Sequence, residues 1–393
     1  LGFGVWSYVG FALALVGPPR ASSVIVLILA GIAMGGGCWL ELVRSTASAC
    51  RAACGGKGRD GWLWLAWMFT IVAVITLATI NSLTPPREGD TLQGYLLTAR
   101  WIAHHGLEYC PYNPRYSLMP FHTELVHALA LSLGTEFASS GLDHFLSMMF
   151  LLGIQALALT WSSWSFAVLA MAGLVTTTEF MGNWSSGKID VLAGFLVFEA
   201  AALPLFVGRS RTPRILVLAA FLLGVGCAMK YSVWILAMGL VPWLGWLAGT
   251  SSSSAAAAGA AAASEASQSR VVWRTCRGIV GIGVVVAICL IPHIAKNLAW
   301  TGNPIAPFGG WLFPSRNIAM GHVSDARVWD LGDVPWLVPK LFFQVDEFRV
   351  GPWPLLILVG IPLVGWAKRE RASPVGVDQA VAGAGLMLVA WIA

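Results

Sequence analysis

Apolar residues fill long, continuous stretches of this chain, and shorter polar segments separate them. The stretches lie near residues 3–16, 21–43, 61–82, 143–161, 164–180, 189–207, 213–229, 231–249, 278–295, 352–367 and 380–393. A membrane-spanning helix needs about 20 mostly apolar residues, and most of these stretches reach or approach that length. The strands of a membrane barrel would instead alternate between apolar and polar residues. The pattern therefore predicts an all-α polytopic membrane protein with about eleven spans.

The composition agrees with a membrane protein. Of the 393 residues, 57% are hydrophobic and 11% are charged, and the mean hydropathy is +0.73. Soluble globular domains carry roughly 25% charged residues, and disordered chains have low hydrophobicity, so both classes are excluded. Both ends, Leu1 and Ala393, lie in apolar sequence. We expect residues 1–393 to form a single transmembrane domain that is truncated at both ends.

The distribution of basic residues predicts the orientation, because Lys and Arg in short loops favour the cytoplasm. Four connecting segments carry them: 44–59, 209–214, 270–277 and 368–371. With eleven spans, all four fall on one side. The opposite, exoplasmic side then receives two long loops, 83–142 and 296–351. The Ala/Ser-rich segment 250–270 is interpreted as a cytoplasmic linker, and no basic block indicates nucleic acid.

The first exoplasmic loop contains a predicted amphipathic helix. Apolar side chains recur at helical spacing between residues 91 and 104: Leu92, Tyr95, Leu96, Ala99, Ile102 and Ala103. Such a helix lies at the membrane surface and would hold Asp90 at the level of the headgroups. Asp90 also suits the N-cap of this helix, with Gln93 completing a capping box. The two roles are compatible.

A second segment of this loop contains His122, Glu124 and His127. Their spacing places two or three of them on one helix face, as in some metal sites, but no third firm ligand accompanies them. We therefore interpret them as polar side chains at the protein surface and expect no metal. The seven cysteines also lack a paired metal spacing, and we expect them to be packing residues.

Four further ionisable residues stand at predicted exoplasmic ends of spans. Lys188 and Asp190 flank the start of the sixth span, where Asp190 also complements the helix N-terminus. Lys230 follows the seventh span, where a lysine can snorkel to the interface. Lys296 precedes a segment with Gly302 and two X-Pro steps, which predict a turn. Because charges at membrane boundaries are costly and often functional, their collection on one face predicts a site.

These segments together resemble the GT-C superfamily of multispanning glycosyltransferases, which take sugar from a polyprenyl-phosphate carrier. Within it they are most similar to the protein O-mannosyltransferase and aminoarabinose-transferase-like group, over roughly residues 61–320. The motifs are Glu88-Gly-Asp90 followed by Tyr95, Ser117-Leu-Met-Pro120 before Glu124, Lys188-Ile-Asp190, Gly224-Val-Gly-Cys-Ala-Met-Lys230-Tyr231, Lys296-Asn297, Thr301-Gly-Asn303-Pro304 and Pro307-Phe308. Glu-Gly-Asp stands where the mannosyltransferases carry adjacent Asp-Glu, so either Glu88 or Asp90 is the counterpart, and we favour Asp90.

The resemblance implies an inverting single displacement at the exoplasmic face, in the plasma membrane if the protein is prokaryotic. Asp90, or Glu88, would be the general base. The implied phosphate partners and other substrate-binding residues are Arg100, Lys188, Lys230, Lys296, Tyr95, Asp190, Asn297 and Asn303. The implied partners are membrane lipid and a polyprenyl-phosphate-linked hexose or pentose; the acceptor is open, and no cofactor or metal is expected.

The residue types suit this chemistry. An acceptor hydroxyl must lose its proton to a base, whereas a polyprenyl phosphate has a second pKa of about 6 and leaves without protonation. The leaving group does need positive charge where its own charge develops, and preorganised Lys or Arg can supply it. One base and several cations are therefore sufficient.

Two other classes remain open. A transporter or lipid flippase would use the same charges to bind a passing substrate, but that class usually places ionisable residues near the bilayer midplane. The predicted span interiors are nearly free of charge, with Glu199 as an exception. A noncatalytic membrane subunit would bind a partner and would tolerate neutralisation of both Asp90 and Lys230.

Overall fold

The computed structural model describes residues 2–31, 33, 44, 61–83, 91–134, 136–161, 175, 178–184, 188, 190–207, 213–251, 264–307 and 313. Within these residues the protein is all-helical and contains no strand. Both candidate bases, Glu88 and Asp90, lie outside the described residues, as do the apolar stretches at 352–367 and 380–393.

Twelve α-helices make up the described part of the chain. They are α1 (Gly2–Val16), α2 (Ala21–Gly31), α3 (Gly61–Ser82), α4 (Leu96–His105), α5 (Pro114–Leu118), α6 (His122–Leu131), α7 (Glu136–Trp161), α8 (Thr178–Asn183), α9 (Asp190–Val207), α10 (Pro213–Cys227), α11 (Ser232–Ser251) and α12 (Ser264–Thr301). A π-helical turn, Thr91–Tyr95, leads directly into α4.

Three of the described helices contain segments long and apolar enough to cross a membrane: Glu136–Ala156 of α7, Ser232–Gly249 of α11 and Val272–Thr301 of α12. Shorter apolar helices occur at Val5–Val16, Ala21–Gly31 and Pro213–Cys227. These helices support membrane association. The expected count of about eleven spans stays a prediction.

Two helices are longer than the hydropathy pattern predicts. α7 begins at Glu136 instead of residue 143, so the last part of the predicted loop 83–142 is helical. α12 has 38 residues and is therefore about 57 Å long, which exceeds the roughly 30 Å of a bilayer's hydrocarbon core. Its last two turns include residues 296–301, which were expected in the second exoplasmic loop. α11 and α12 also extend into both ends of the Ala/Ser-rich segment, to Ser251 and from Ser264.

The helices α11 and α12 pack closely in antiparallel orientation. Tyr231, just before α11, contacts His293 near the end of α12. Gly245, in the second half of α11, lies against Ile279 in the first half of α12. A Cβ atom added to Gly245 would lie 2.6 Å from Ile279 N. Small residues allow membrane helices to approach this closely. The arrangement fixes the turn before α11 against the C-terminal part of α12.

One end of the helix bundle collects the polar residues. Gly226 at the end of α10 lies against Ala193 near the start of α9, so α9 and α11 begin, and α10 and α12 end, at the same end. We call it the polar end. Arg214, Arg274 and Arg277 lie exposed at the opposite end. This separation matches the charge pattern, and which end faces the cytoplasm stays a prediction.

Candidate functional site

The segment between α3 and α7 is folded against the helix bundle. Leu125 and Leu129 of α6 pack on Gly10 of α1, and the backbone N–H of His122 donates to Ala228 O at 3.3 Å. A small apolar core joins this segment to α1: Ala14, Ala99, Ile102, Phe121, Leu125 and Ala128. The described residues 91–134 of the first predicted loop therefore form a packed cover over one side of the polar end.

The interpretation of His122, Glu124 and His127 as surface residues is wrong. All three side chains are 0% exposed. The reason is that α6 contacts α1, α4 and α7 and lies close to Lys296 of α12, so its polar positions are enclosed on several sides. His127 Nδ1 lies 2.5 Å from Ser139 Oγ, and its Nε2 lies 3.4 Å from Asp143 Oδ1 on α7.

Lys296 holds the segment between α5 and α6 against α12. Its ammonium donates to Ser117 O and, at 3.0 Å, to Met119 O. The same ammonium lies 4.4 Å from the centroid of the Phe121 ring and 5.1 Å from that of the Trp300 ring, which are cation–π distances. Lys296 is therefore a buried cation with backbone and aromatic partners.

Asn297 and Tyr231 extend this connection to neighbouring segments. Asn297 Nδ2 donates to Leu118 O at 3.0 Å and to Ala306 O at 2.9 Å. Tyr231 OH donates to the same carbonyl at 2.7 Å and lies 2.9 Å from His293 Nε2. The end of α12, the α5 segment and the turn before α11 are thus joined by one hydrogen-bond network.

The predicted turn after α12 is confirmed. Gly302 has a φ of +75°, a left-handed conformation that favours glycine and ends helices. Asn303 N donates to Thr301 Oγ1 at 3.0 Å, and Ile305 N donates to Asn303 Oδ1 at 3.0 Å. Asn303 therefore stabilises the turn that brings Ala306 to Asn297 and Tyr231.

A second set of charges surrounds Lys230 in the turn between α10 and α11. The Lys230 ammonium forms an ion pair with Asp190, the first residue of α9, and the two side chains are 27% and 26% exposed. Burial, together with the nearby positive charge of Lys188, lowers the pKa of Lys230 to about 8. We call Lys188, Asp190 and Lys230 the lysine pair group. It offers two cations and one carboxylate to a water-accessible surface.

The burial of α6 also changes the ionisation of its residues. Burial raises the pKa of Glu124 to about 8, although the nearby Lys296 ammonium opposes the shift. Burial lowers the pKa of His122 to about 3 and that of His127 to about 4. We call His122, Glu124, His293 and Lys296 the buried group.

The turn at residues 228–231 brings the two groups together. Ala228 O accepts from the backbone of His122, Lys230 pairs with Asp190, and Tyr231 contacts His293. Of the predicted site residues, Lys188, Asp190, Lys230, Lys296, Asn297 and Asn303 therefore lie near this one turn or are connected to it.

Arg100 and Tyr95 lie on the α4 side of the cover. Arg100 pairs with Glu136 at the N-terminus of α7. The Tyr95 ring packs edge-on against Tyr116, with ring centroids 5.0 Å apart. The predicted surface helix is confirmed as a helical segment, with its first turn π-helical and its buried positions including Leu96, Ala99 and Ile102.

Tyr231 and His293 are the members of the site that sequence reasoning missed. A signal for His293 was present, because residues three and four apart share a helix face and His293 precedes Lys296 and Asn297 at these spacings. Tyr231 directly follows Lys230 in one of the motifs that carry the resemblance, but its role in the site depends on the contact between α11 and α12. No three His, Cys, Asp or Glu side chains are grouped to hold a metal ion anywhere in the described ranges.

Comparison with known proteins finds no matching family model, no matching curated protein and no matching solved structure.

Proposed function

We propose that this protein is a membrane glycosyltransferase that moves a hexose or pentose from a polyprenyl-phosphate donor to an acceptor hydroxyl or a similar nucleophile. The reaction is an inverting single displacement at the polar end, which faces the exoplasmic side. The observation that carries the proposal is the lysine pair group, a partly exposed cluster with two cations at the end of an apolar helix bundle.

The lysine pair group suits a lipid-borne phosphate. Lys230 and Lys188 supply positive charge where the leaving phosphate develops its negative charge, and such stabilisation is strong in a site with few water molecules. Asp190 holds Lys230 in place through the ion pair. The exposed apolar side chains of the bundle, such as Ile235 and Met238 of α11, are compatible with lateral entry of a polyprenyl tail from the bilayer.

Asp90 is the proposed general base, with Glu88 as the alternative. Asp90 directly precedes the π-helical turn, a local structure that is frequent at functional sites. Asn113 Nδ2 donates to Gly94 O at 2.9 Å, and the Tyr116 ring lies against Gly94, so the turn after Asp90 is firmly held. Glu124 is a poor candidate for contact with an acceptor, because it is fully buried.

The remaining predicted residues receive supporting roles in this proposal. Lys296 and Asn297 direct their polar hydrogens to backbone carbonyls, so they build the wall of the site. Asn303 shapes the turn beside that wall. Arg100 and Tyr95 lie on α4 and the π-helical turn and would border the donor.

Sugar transfer by the full chain in lipid vesicles tests the proposal. Vesicles are supplied with polyprenyl-phosphate hexoses and pentoses and with a panel of hydroxyl acceptors, and transfer is followed by mass spectrometry. Asp90→Asn should abolish transfer, whereas Arg214→Gln, at the exposed opposite end, should retain it. Full activity of Asp90→Asn together with loss of activity in Glu88→Gln would move the base to Glu88. Absence of transfer from every donor by the folded wild type would reject the proposal.

A transporter or flippase is the second candidate, and one observation favours it. His293 and Lys296 lie buried within the segment Val272–Thr301 that is long enough to span the membrane, and Glu199 lies in the middle of α9. Ionisable residues in such positions are typical of transport pathways. Translocation of labelled polyprenyl-phosphate sugar across vesicles without chemical transfer would establish this candidate. Retention of every activity in the Asp90→Asn, Lys230→Met double variant would instead indicate a noncatalytic subunit.

A further inference from the structure

A set of buried polar atoms at the polar end has no hydrogen-bond partner within the part of the chain that the structure describes. They are both ring nitrogens of His122, both carboxyl oxygens of Glu124, Thr123 Oγ1, His293 Nδ1 and Asn297 Oδ1. Each of these five residues is 0% exposed. Buried polar groups in folded proteins nearly always have a partner in the protein or in ordered water. The set therefore points to something that occupies the space between them.

These atoms belong to one cluster. Asn297 Nδ2 lies 3.3 Å from His293 Nε2, and both His122 and Lys296 are close enough to His293 to act on it electrostatically. Glu124 interacts in the same way with Lys296. The cluster lies where α6, the end of α12 and the turn at residues 228–231 meet.

Water is the ligand that this cluster fits. An unpaired buried polar group costs about 1–3 kcal/mol, and an internal water molecule typically makes about three hydrogen bonds to such groups. The hydroxyl of Thr123 and the imidazole of His122 can each donate and accept, and Glu124 offers two oxygens. No three of the described His, Cys, Asp or Glu side chains are arranged to hold a metal ion.

We propose that His122, Glu124 and His293 line a buried, hydrated proton-binding site, in which the Glu124 carboxyl holds an exchangeable proton. On release, the O–H bond of Glu124 breaks, an internal water takes the proton as hydronium, and solvent receives it. The carboxylate that remains lies near the Lys296 ammonium, which stabilises it. This site goes beyond the proposed function, because the general base proposed for sugar transfer is Asp90 or Glu88.

Titratable groups stand on α6 itself and on the elements around it: Tyr8 on α1, His122 and His127 on α6, Asp143 on α7, Tyr231 in the turn before α11, and His293 and Lys296 on α12. Of these, Lys296 acts electrostatically on Glu124. Lys296 favours the carboxylate, whereas burial favours the neutral acid and has the larger effect, which raises the pKa of Glu124 to about 8. The site therefore holds its proton at neutral pH and releases it in mildly alkaline solution.

Infrared difference spectroscopy of the wild type and Glu124→Gln in lipid tests this proposal. Glutamine has nearly the shape of protonated glutamic acid, so the variant is expected to fold. At neutral pH the wild type should show the C=O band of a protonated carboxyl that Glu124→Gln lacks. The band should shift in D2O and should disappear as the pH rises through about 8. Glu199→Gln, which removes a glutamate from α9, is the matched control and should leave this band in place.

Two spectroscopic results would overturn the proposal. One is a carboxylate signal from Glu124 at neutral pH, which would mean that no proton is held. The other is a band that keeps its H2O position after long incubation in D2O, which would mean that no water reaches the carboxyl. If Glu124→Gln does not fold, a high-resolution structure of the wild type decides. Water density within hydrogen-bond distance of Glu124 and His122 supports the site, and dry, closed packing there overturns it.

Discussion

The lysine pair group and the buried group contain similar residue types and meet at the same turn, yet only one of them is exposed at the protein surface. Lys230 and Asp190 are 27% and 26% exposed, whereas His122, Glu124 and His293 are 0% exposed. A charge near water can exchange its partner for a ligand at low cost, but a buried charge that loses its partner is strongly destabilising. We therefore expect substitutions in the first group to change activity and removal of the Lys296 charge in the second to lower stability.

Substitution of Lys230 should give the largest effect on activity. In Lys230→Met the leaving phosphate loses a preorganised cation, and removal of one such group typically lowers kcat by about 100-fold or more. The unfolding temperature should change little, because water can solvate the Asp190 carboxylate. Initial rates of sugar transfer and thermal unfolding in detergent measure the two effects. Activity within twofold of the wild type would show that Lys230 does not contact the donor.

Substitution of Lys296 should have the opposite result, with its main effect on stability. Lys296→Met leaves Ser117 O and Met119 O without their charged donor, and loss of buried charge-assisted hydrogen bonds should cost about 2–4 kcal/mol. Amide hydrogen exchange should increase first around residues 117–119. Lys230→Met is the matched control, since it removes a lysine from the same end without disturbing those amides. If amide exchange around residues 117–119 were equal in the two variants, the lysine pair group and the buried group would not differ in their effect on stability.

The packing of α11 on α12 aligns the turn that joins the two groups. Gly245→Ala would place its Cβ 2.6 Å from Ile279 N, and overpacking of this kind costs about 1–3 kcal/mol. Gly239→Ala is the matched control on the same helix, because nothing lies within 4 Å of the added Cβ; it should be neutral or stabilise by up to about 1 kcal/mol. Thermal unfolding compares the two variants. Similar midpoints would mean that close helix contact does not position the turn.

Much of the helical arrangement could be predicted from the sequence. The bounds of α3, α9, α10 and α11 lie within about two residues of the predicted apolar stretches, because a long apolar run is the direct signal of a buried or lipid-facing helix. The early start of α7 and the length of α12 were missed. Their terminal turns contain charged and polar residues. Hydropathy therefore does not detect the parts of these helices that continue beyond the apolar region.

The candidate site was predictable only in part. The collection of Lys188, Asp190 and Lys230 at one end followed from the alternation of spans, and the structure pairs two of them. The burial of Glu124 and His122 did not follow, because it depends on how α6 packs against other helices, and polar residues give no apolar stripe to reveal such packing. Whether Asp90 joins this end stays a prediction.

The pH dependence of donor binding should distinguish Lys230 from Lys296, the buried cation. Burial and the neighbouring Lys188 lower the pKa of Lys230 to about 8. A lysine is charged below its pKa, so donor affinity should hold at neutral pH and should fall by up to roughly tenfold for each pH unit above that value. The donor KM measured across this range checks the effect. Lys230→Arg should flatten the profile, because arginine stays charged. An unchanged profile in that variant would assign the titration to another group.

Substitution of Arg100 should give the smallest effect. Its ion pair with Glu136 has side chains that are 43% and 36% exposed, and exposed pairs contribute about 0–1 kcal/mol, less in high salt. Arg100→Gln should therefore leave the unfolding temperature nearly unchanged, in contrast to Lys296→Met. Transfer rates decide what else Arg100 does. If the rates fall as strongly as in Lys230→Met, α4 forms part of the donor site, and the water-accessible cations extend beyond the lysine pair group. If the rates stay near those of the wild type, the exposed pair with Glu136 has no part in donor binding.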